Sequence, residues 1–407
     1  MELPLGEGTI DADVPGTVTV AEPPGGTPVD VRKAAGGALA SPAGPRLATL
    51  AGDAEDAALV VTDVTRATPD EVLVDLFVDE LAAAGVDPDA VTVVVGLGLH
   101  RPLDDAELAD LLGEHADLAI NNDPDEVVTV GQVDGVDVDV HPVVADADLV
   151  VSTGMVEPHQ YAGFSGGAKT VVMGAGGESQ IRYTHGPDLL GRECVRLGRI
   201  DGNPFRSFVD RAGDVAGPDF CLNVTHGPSG ILDVAAGAPR RVVAGLAESA
   251  RTALSVPVDR DYDAVVAGVG APKDANLYQA SRAATYVVLG ARNPLRAGGR
   301  IVVPAALPEG AGRGRGERRF AERLADASDA ASLYAEMAKG YEPGAQRAFV
   351  LARVLRDHDV YVTNSQHQEV VEGSLMHARE TVADALPPDG DVLVVPNAID
   401  TLLVPPE

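Results

Sequence analysis

The residues able to do chemistry in this chain sit in four short segments, each following an apolar run that reads as a strand. Asp63 and Arg66 stand three apart in DVTRATPD (63–70). A planar, permanently charged guanidinium suits a two-pronged grip on a carboxylate, and an aspartate accepts from ribose hydroxyls. The same spacing also serves a helix N-cap with a surface ion pair. His100 lies in GLGLHRP (96–102), where imidazole, with its ordinary pKa of about 6.5, fits acid–base work as well as an incidental loop position.

The third segment, VEPHQYAGFSGGAKTVVMGAGG (156–177), followed by His185, is the densest. It offers His159, Lys169 and a run of glycines, Gly166 and Gly167 among them, that let backbone approach a ligand closely. GFSGGAKT is close to a phosphate-binding loop, but Ala168 stands where that motif has glycine, and VVMGAGG follows instead of an evident helix. Covalent attachment or carboxylate pairing therefore ranks above phosphate binding for Lys169. In the fourth segment, GVGAPKDANLYQASRA (268–283), Tyr278 and Arg282 are four apart and share a helix face with Gln279 beside them. They suit a polar anionic substrate held across a domain cleft; helix packing with surface charge is the competing use.

Elements of alternating type must position these segments, with short β-branched runs between longer amphipathic ones, the pattern of a parallel sheet with crossover helices. Strands are expected at 57–62, 91–95 and 149–152, and helices at 69–85 and 104–114. Residues 163–177 are too rich in glycine for a regular element and read as a long functional loop. A composition shift at 255–263 marks a domain boundary, giving domains at 1–256 and 257–407. Beyond it, strands are expected at 264–269, 300–303, 360–363 and 391–395, and helices at 275–289, 317–327, 345–356 and 370–385. The basic glycine-rich stretch EGAGRGRGERR (309–319) reads as a solvated loop.

Composition narrows the function further. The 407 residues carry 62 Asp+Glu against 31 Lys+Arg, a net charge of −31, while 45% hydrophobic residues exclude the disordered class. Such a surface repels nucleic acid and anionic membranes, so neither is expected as a partner. The start, MELPLGEGTIDADVPG, has no signal-peptide pattern, and the longest apolar run, 91–99, is about half of the roughly 20 residues a membrane span needs, so a cytoplasmic protein is expected. Two cysteines, Cys194 and Cys221, exclude a disulfide framework or a four-thiolate zinc site, leaving any metal to nitrogen, oxygen or cofactor ligands. Only Lys33, Lys169, Lys273 and Lys339 are lysines, and an acidic, lysine-poor surface reads as adaptation to high salt; an acidic protein of a GC-rich genome is the alternative.

In order, LPLGEG, DVTR, GLHRP, EPHQYAGFSGGAK, PKDANLYQA and the late VLVVP strand resemble the nickel-pincer lactate racemase family (LarA and its homologues), in a haloarchaeal-type version. The resemblance runs nearly end to end. It implies two Rossmann-like α/β domains with the active site in the cleft between them. The implied activity is a 2-hydroxy acid racemase or epimerase using a pyridinium-3,5-dithiocarboxylic acid mononucleotide that carries nickel. The residues matching the family's motifs give Lys169 as the cofactor tether, Asp63, Gly166 and Gly167 as cofactor contacts, and His185 as the metal ligand. They also give His100 and His159 as alternate acid and base, with Arg66, Tyr278, Gln279 and Arg282 at the substrate. Cofactor-maturation proteins are implied partners, and self-association stays open.

The chemistry fits these types. A Cα hydrogen beside a carboxylate is barely acidic, whereas its removal as hydride leaves a stable keto acid, and a hydroxyl pointing to opposite sides in the two enantiomers needs two bases. The substrate shell departs from the lactate enzyme. Arg282 replaces a lysine, Leu99 a threonine and Met173 a proline, and tryptophan is absent. A planar arginine can grip a second carboxylate, so malate or a larger acid competes with lactate. Two other readings remain: a phosphate-loop nucleotide hydrolase, and a non-catalytic nickel or nucleotide carrier.

Overall fold

Parallel sheets buried on both faces are read from continuous apolar runs, and the strand Ala57–Thr62 (AALVVT) is one, buried along nearly its whole length. It lies inside a six-stranded sheet of the computed structural model, which describes residues 1–406. Across that sheet the order is Gly230–Gly237, Phe220–Gly227, Val150–Met155, Ala57–Thr62, Val91–Gly96, Ala119–Asn121. All neighbours are parallel except the first pair. Ala57–Thr62 pairs with Val91–Gly96 on one side and Val150–Met155 on the other, so the order reverses at this strand. Crevices at the carboxyl ends of such strands are where open α/β sheets bind ligands.

The helix Asp70–Ala84 covers one face of this sheet. Its Leu73, Val74, Phe77, Val78 and Leu81 recur at helical spacing and are buried, with Phe77 edge-on to Phe220 at 6.1 Å, and Gly85 ends it in the left-handed conformation. Full burial of each such side chain contributes about 1.5–3 kcal/mol.

The chain forms two compact units: Gly25–Thr184 with Ile200–Ala253, and Met1–Pro24 with His185–Arg199 and Leu254–Glu407. A single boundary after residue 256 does not describe this division. Thr17–Val20 pairs in parallel with Asp391–Val395, and that ladder commits the start of the chain to the later unit. The second unit holds its own six-stranded sheet, all parallel, in the order His377–Arg379, Asp359–Thr363, Leu295–Pro304, Tyr262–Ala267, Asp391–Val395, Thr17–Val20.

Three expected elements come out differently. Residues 163–177 contain regular structure: Gly163–Phe164 pairs antiparallel with Pro158–His159, and Thr170–Gly174 forms a π-helical turn. The helix expected at 275–289 divides at Ser281 into Leu277–Ala280 and Arg282–Val288. At 370–385 the chain makes a short helix Gln368–Glu372, an edge strand His377–Arg379 and a helix Val382–Ala385, because pairing with Asp359–Thr363 and capping by Thr381 outweigh helix propensity. Among the described residues, no helix is long and apolar enough to cross a membrane.

Candidate active site

Three of the four chemically marked segments leave the carboxyl ends of three neighbouring strands, Val150–Met155, Ala57–Thr62 and Val91–Gly96. After Ala57–Thr62 the chain turns tightly, with the Arg66 amide donating to the Asp63 carbonyl at 3.0 Å. The Asp63 Oδ1 accepts from the Thr65 hydroxyl at 2.5 Å and amide at 3.2 Å, while Oδ2 lies 2.5 Å from His100 Nδ1. Burial raises the Asp63 pKa, but the bond and charge of His100, with Thr65 and Arg66, outweigh it and hold the carboxyl below the usual range. An ionised carboxylate only accepts, so Nδ1 carries the hydrogen and Nε2 keeps its lone pair. The His100 side chain is 56% exposed against 7% for Asp63, so the imidazole is open to a ligand while its orienting partner is shielded. A nucleotide contact is the sequence expectation for Asp63; the structure gives both its oxygens partners inside the protein.

His159 is held in the opposite sense. It lies in the small hairpin Pro158–His159 with Gly163–Phe164, and its Nδ1 accepts from the backbone amides of Tyr161 at 3.3 Å and Ala162 at 3.1 Å. Its neutral form therefore carries hydrogen on Nε2. Tyr161 stands edge-on to the ring with centroids 5.6 Å apart, and Asn203 fixes the hairpin through its Nδ2 on the Tyr161 carbonyl at 2.7 Å.

Lys169 follows Gly166 and Gly167, both at positive φ. Asn223 Oδ1 accepts the Gly167 amide at 2.7 Å, and Arg206 donates to the Gly166 carbonyl at 3.2 Å. Burial, together with the charges of Arg66 and Arg206, lowers the Lys169 pKa to about 7 against the opposing pull of Glu157 and Asp63. Its amine is thus substantially neutral, and nucleophilic, near pH 7. Arg66 bonds Glu157 at 3.2 Å, so the DVTR and EPH segments are joined by an ion pair. A phosphate loop runs from a strand into an α-helix, whereas here a single π turn, Thr170–Gly174, follows the lysine.

Glycine brings the lysine and His100 segments together. A Cβ on Gly96 would lie 2.9 Å from the Val61 carbonyl oxygen and 3.1 Å from Gly174 Cα, so two backbones meet where no side chain fits. The Gly98 amide donates to the Gly174 carbonyl at 2.8 Å across this contact. Behind Asp63, the buried Asp70 accepts from the hydroxyls of Thr153 and, at 3.0 Å, Thr62. Burial drives its pKa up to about 7 against those bonds, with the charge of Asp63 adding to the rise.

The remaining expected residues belong to the other unit. Tyr278 and Gln279 lie in the short helix Leu277–Ala280, capped by Asn276, whose side chain accepts the Gln279 amide at 3.0 Å. Arg282 donates to Gln279 Oε1 at 3.4 Å and to the Tyr286 hydroxyl at 3.1 Å. Tyr278 packs edge-on to Phe320 with centroids 5.4 Å apart. His185 opens the segment His185–Arg199. Asp63, Arg66, His100 and Lys169 thus share one neighbourhood of bonds and charges with Glu157, and His159 stands two residues from Glu157. Sequence reasoning passed over Glu157, Asp70, Arg206 and Asn223. Glu157 sits inside the EPH block and was legible there, whereas nothing in spacing marks the other three.

The models for the lactate racemase N-terminal and C-terminal domains match residues 5–196 and 259–400. The lactate racemase of Thermoanaerobacterium thermosaccharolyticum is 26% identical over 388 residues, covering 90% of this chain and 89% of its own. That of Lactiplantibacillus plantarum is 27% identical over 356 residues, covering 84% and 81%. The structure of the T. thermosaccharolyticum lactate racemase apoprotein superposes with a TM-score of 0.88 over 99% of both chains at 22% identity, and a Thermotoga maritima protein with 0.66 at 17%, covering 92% and 98%. With both family domains matched in order, and with the fold shared over nearly its full length, this chain belongs to the lactate racemase family.

Proposed function

We propose that this chain is an isomerase that racemises a 2-hydroxy acid, as the relatives named lactate racemase do. The observation that carries the reading is the pair of histidines in opposite tautomers: His100 is oriented by Asp63 to accept at Nε2, and His159 is oriented by backbone amides to donate there. An enzyme that must remove a hydroxyl proton from one enantiomer and return it to the other needs one group in each state at rest. His100 Nε2 takes the hydroxyl proton of the substrate, with the Asp63 carboxylate beside Nδ1, and returns it to the oxygen once hydride has come back to Cα, so that the proton balances at one nitrogen. The His159 Nε2–H donates a hydrogen bond to the oxygen while it is the carbonyl of the keto acid. Arg66, steadied by Glu157, binds the substrate carboxylate, and the family's motifs assign Tyr278, Gln279 and Arg282 to the substrate as well.

Proton transfer alone does not invert Cα, and a nickel-pincer nucleotide, when bound, supplies the hydride acceptor that these side chains lack. The residues fit such a group. Lys169 offers an amine with a pKa lowered to about 7 for the tether, the Gly166–Gly167 turn is at positive φ, and the buried Asn223 Nδ2 beside them has no hydrogen-bond partner among the described residues. His185, which opens the segment His185–Arg199, would give an imidazole nitrogen to the metal, with the remaining ligands coming from the cofactor. A cytoplasmic, salt-adapted enzyme is the accompanying reading of the acidic surface. Protein purified from a host that makes the cofactor, assayed by chiral chromatography over a panel of 2-hydroxy acids, tests the proposal. His100→Ala and His159→Ala should each lower interconversion on the order of 100-fold or more, and unaltered turnover in both overturns it.

A further inference from the structure

Arg206 is 1% exposed, and a charge this deeply buried needs partners for the donors that water would otherwise satisfy. Its Nε and Nη2 both reach the Asp210 carboxylate, at 2.8 and 2.6 Å, one turn further along the helix Pro204–Ala216, and its Nη1 donates to the Gly166 carbonyl at 3.2 Å. The same carbonyl accepts the Lys169 amide at 3.4 Å, so a single oxygen stands between the guanidinium and the backbone of the lysine. Apolar residues can replace a buried ion pair at little cost, but they cannot replace a donor that leaves its own helix for this carbonyl.

The helix bears on the same turn at two further points. A Cβ on Gly167 would lie 3.2 Å from Arg206 Nη2, and a Cβ on Gly213, further along the helix, would collide with Ala168 Cβ. At the helix start, Asn203 accepts the Phe205 amide at 3.0 Å and donates to the Tyr161 carbonyl at 2.7 Å, and the Phe205 ring centroid is 6.2 Å from that of His159. One helix thus braces both the Lys169 turn and the His159 hairpin.

We propose that Arg206 is a positioning residue for Lys169: through the Gly166 carbonyl it fixes the turn from which the lysine leaves, and with it the setting in which the amine reacts. The inference rests on the reading of Lys169 as the tether. Charge acts in the same direction as geometry. Burial is the largest cause of the lowered Lys169 pKa, Arg66 and Arg206 add to it, and Glu157 and Asp63 oppose them. Lysine at position 206 would keep the charge but not the planar fork that serves Asp210 twice and Gly166 once. Glutamine would lose both.

Labelling of the full-length, cofactor-free protein with an amine reagent across the neutral pH range, mapped by peptide mass spectrometry, tests it, with the exposed Lys33 as internal reference and circular dichroism as the check on folding. In Arg206→Gln the Lys169 rate at pH 7 should fall about threefold or more relative to Lys33, and its pH midpoint should move up from the parent's value near 7. Arg206→Lys should keep the midpoint near the parent's while losing selectivity for Lys169 over Lys33, because the charge remains and the brace does not. A folded Arg206→Gln protein with the parent's midpoint and selectivity overturns the inference. Should that variant not fold, Arg206→Lys decides alone, and selectivity equal to the parent's overturns it. Failure of the underlying racemase reading looks different: the cofactor-loaded enzyme would interconvert no 2-hydroxy acid while the dependence of Lys169 labelling on Arg206 persisted.

Discussion

Asp63 Oδ2 and His100 Nδ1 lie 2.5 Å apart, a bond between two loops that leave adjacent parallel strands. It fixes which imidazole nitrogen faces a substrate. Asp63→Asn, which keeps shape but loses the charge, should lower kcat on the order of 10- to 100-fold with a smaller change in KM, the size of effect seen when a partner orienting an active-site group is removed. A kcat within twofold of the parent would separate Asp63 from the chemistry. The folded-state pKa of Asp63 is depressed, so the stability the pair contributes is present above the ordinary carboxylate range and disappears as pH falls through the folded value.

Asp70 runs the other way. Its folded pKa is raised to about 7, so folding favours the protonated acid and stability falls as pH rises through neutrality. Asp70→Asn keeps an acceptor for Thr153 and a group able to bond Thr62. Its melting temperature should exceed the parent's at pH 9, and the gap should close only as pH falls to the ordinary carboxylate value of 3.8. Parallel pH profiles for the two proteins would show that Asp70 is not the neutral buried acid inferred from its surroundings.

Lys169, with a pKa lowered to about 7, should be the most reactive of the four lysines toward an amine reagent at pH 7.5. Mass-spectrometric mapping after brief labelling should place modification there first, with a pH midpoint near 7 in the rate. Labelling of Lys33 or Lys339 ahead of Lys169 would contradict it. The same depressed pKa means that the unfolded chain binds the Lys169 proton first, so stability falls as pH drops from the ordinary lysine range to about 7 and levels off below it.

Gly96→Ala inserts a methyl group 2.9 Å from the Val61 carbonyl oxygen and 3.1 Å from Gly174 Cα. Neither neighbour is a flexible side-chain end, so the His100 and Lys169 segments must move apart. A loss of about 1–3 kcal/mol in stability is expected, with a disproportionate fall in activity and in the selective labelling of Lys169. An unchanged melting temperature would show that the contact yields easily.

The net charge of −31 should make stability rise steeply with added KCl, as the screening length shrinks from about 10 Å at 0.1 M to about 3 Å at 1 M. Urea midpoints measured across that range check it. A flat response would remove the salt-adaptation reading.

What the sequence by itself determined were the features that depend on local order. The run AALVVT is a buried strand because every residue of it is apolar or small, and the helix after it is amphipathic because its leucines, valines and phenylalanine recur at helical spacing. The EPHQYAGFSGGAK block carried its own signature in the types and spacing of a histidine, a lysine and glycines. Only tertiary structure decided what depends on approach between distant segments. The parallel order of three strands sets Asp63 against His100, Arg66 against Glu157 and Gly96 against Gly174, separations of 37, 91 and 78 residues that no local pattern encodes. The same holds for the glycine-rich stretch, which looks structureless as a sequence. Its hairpin and π turn exist because Asn203, Asn223 and Arg206, all from later in the chain, satisfy its backbone. A backbone polar group buried in a fold must find a partner, and sequence does not say where that partner comes from.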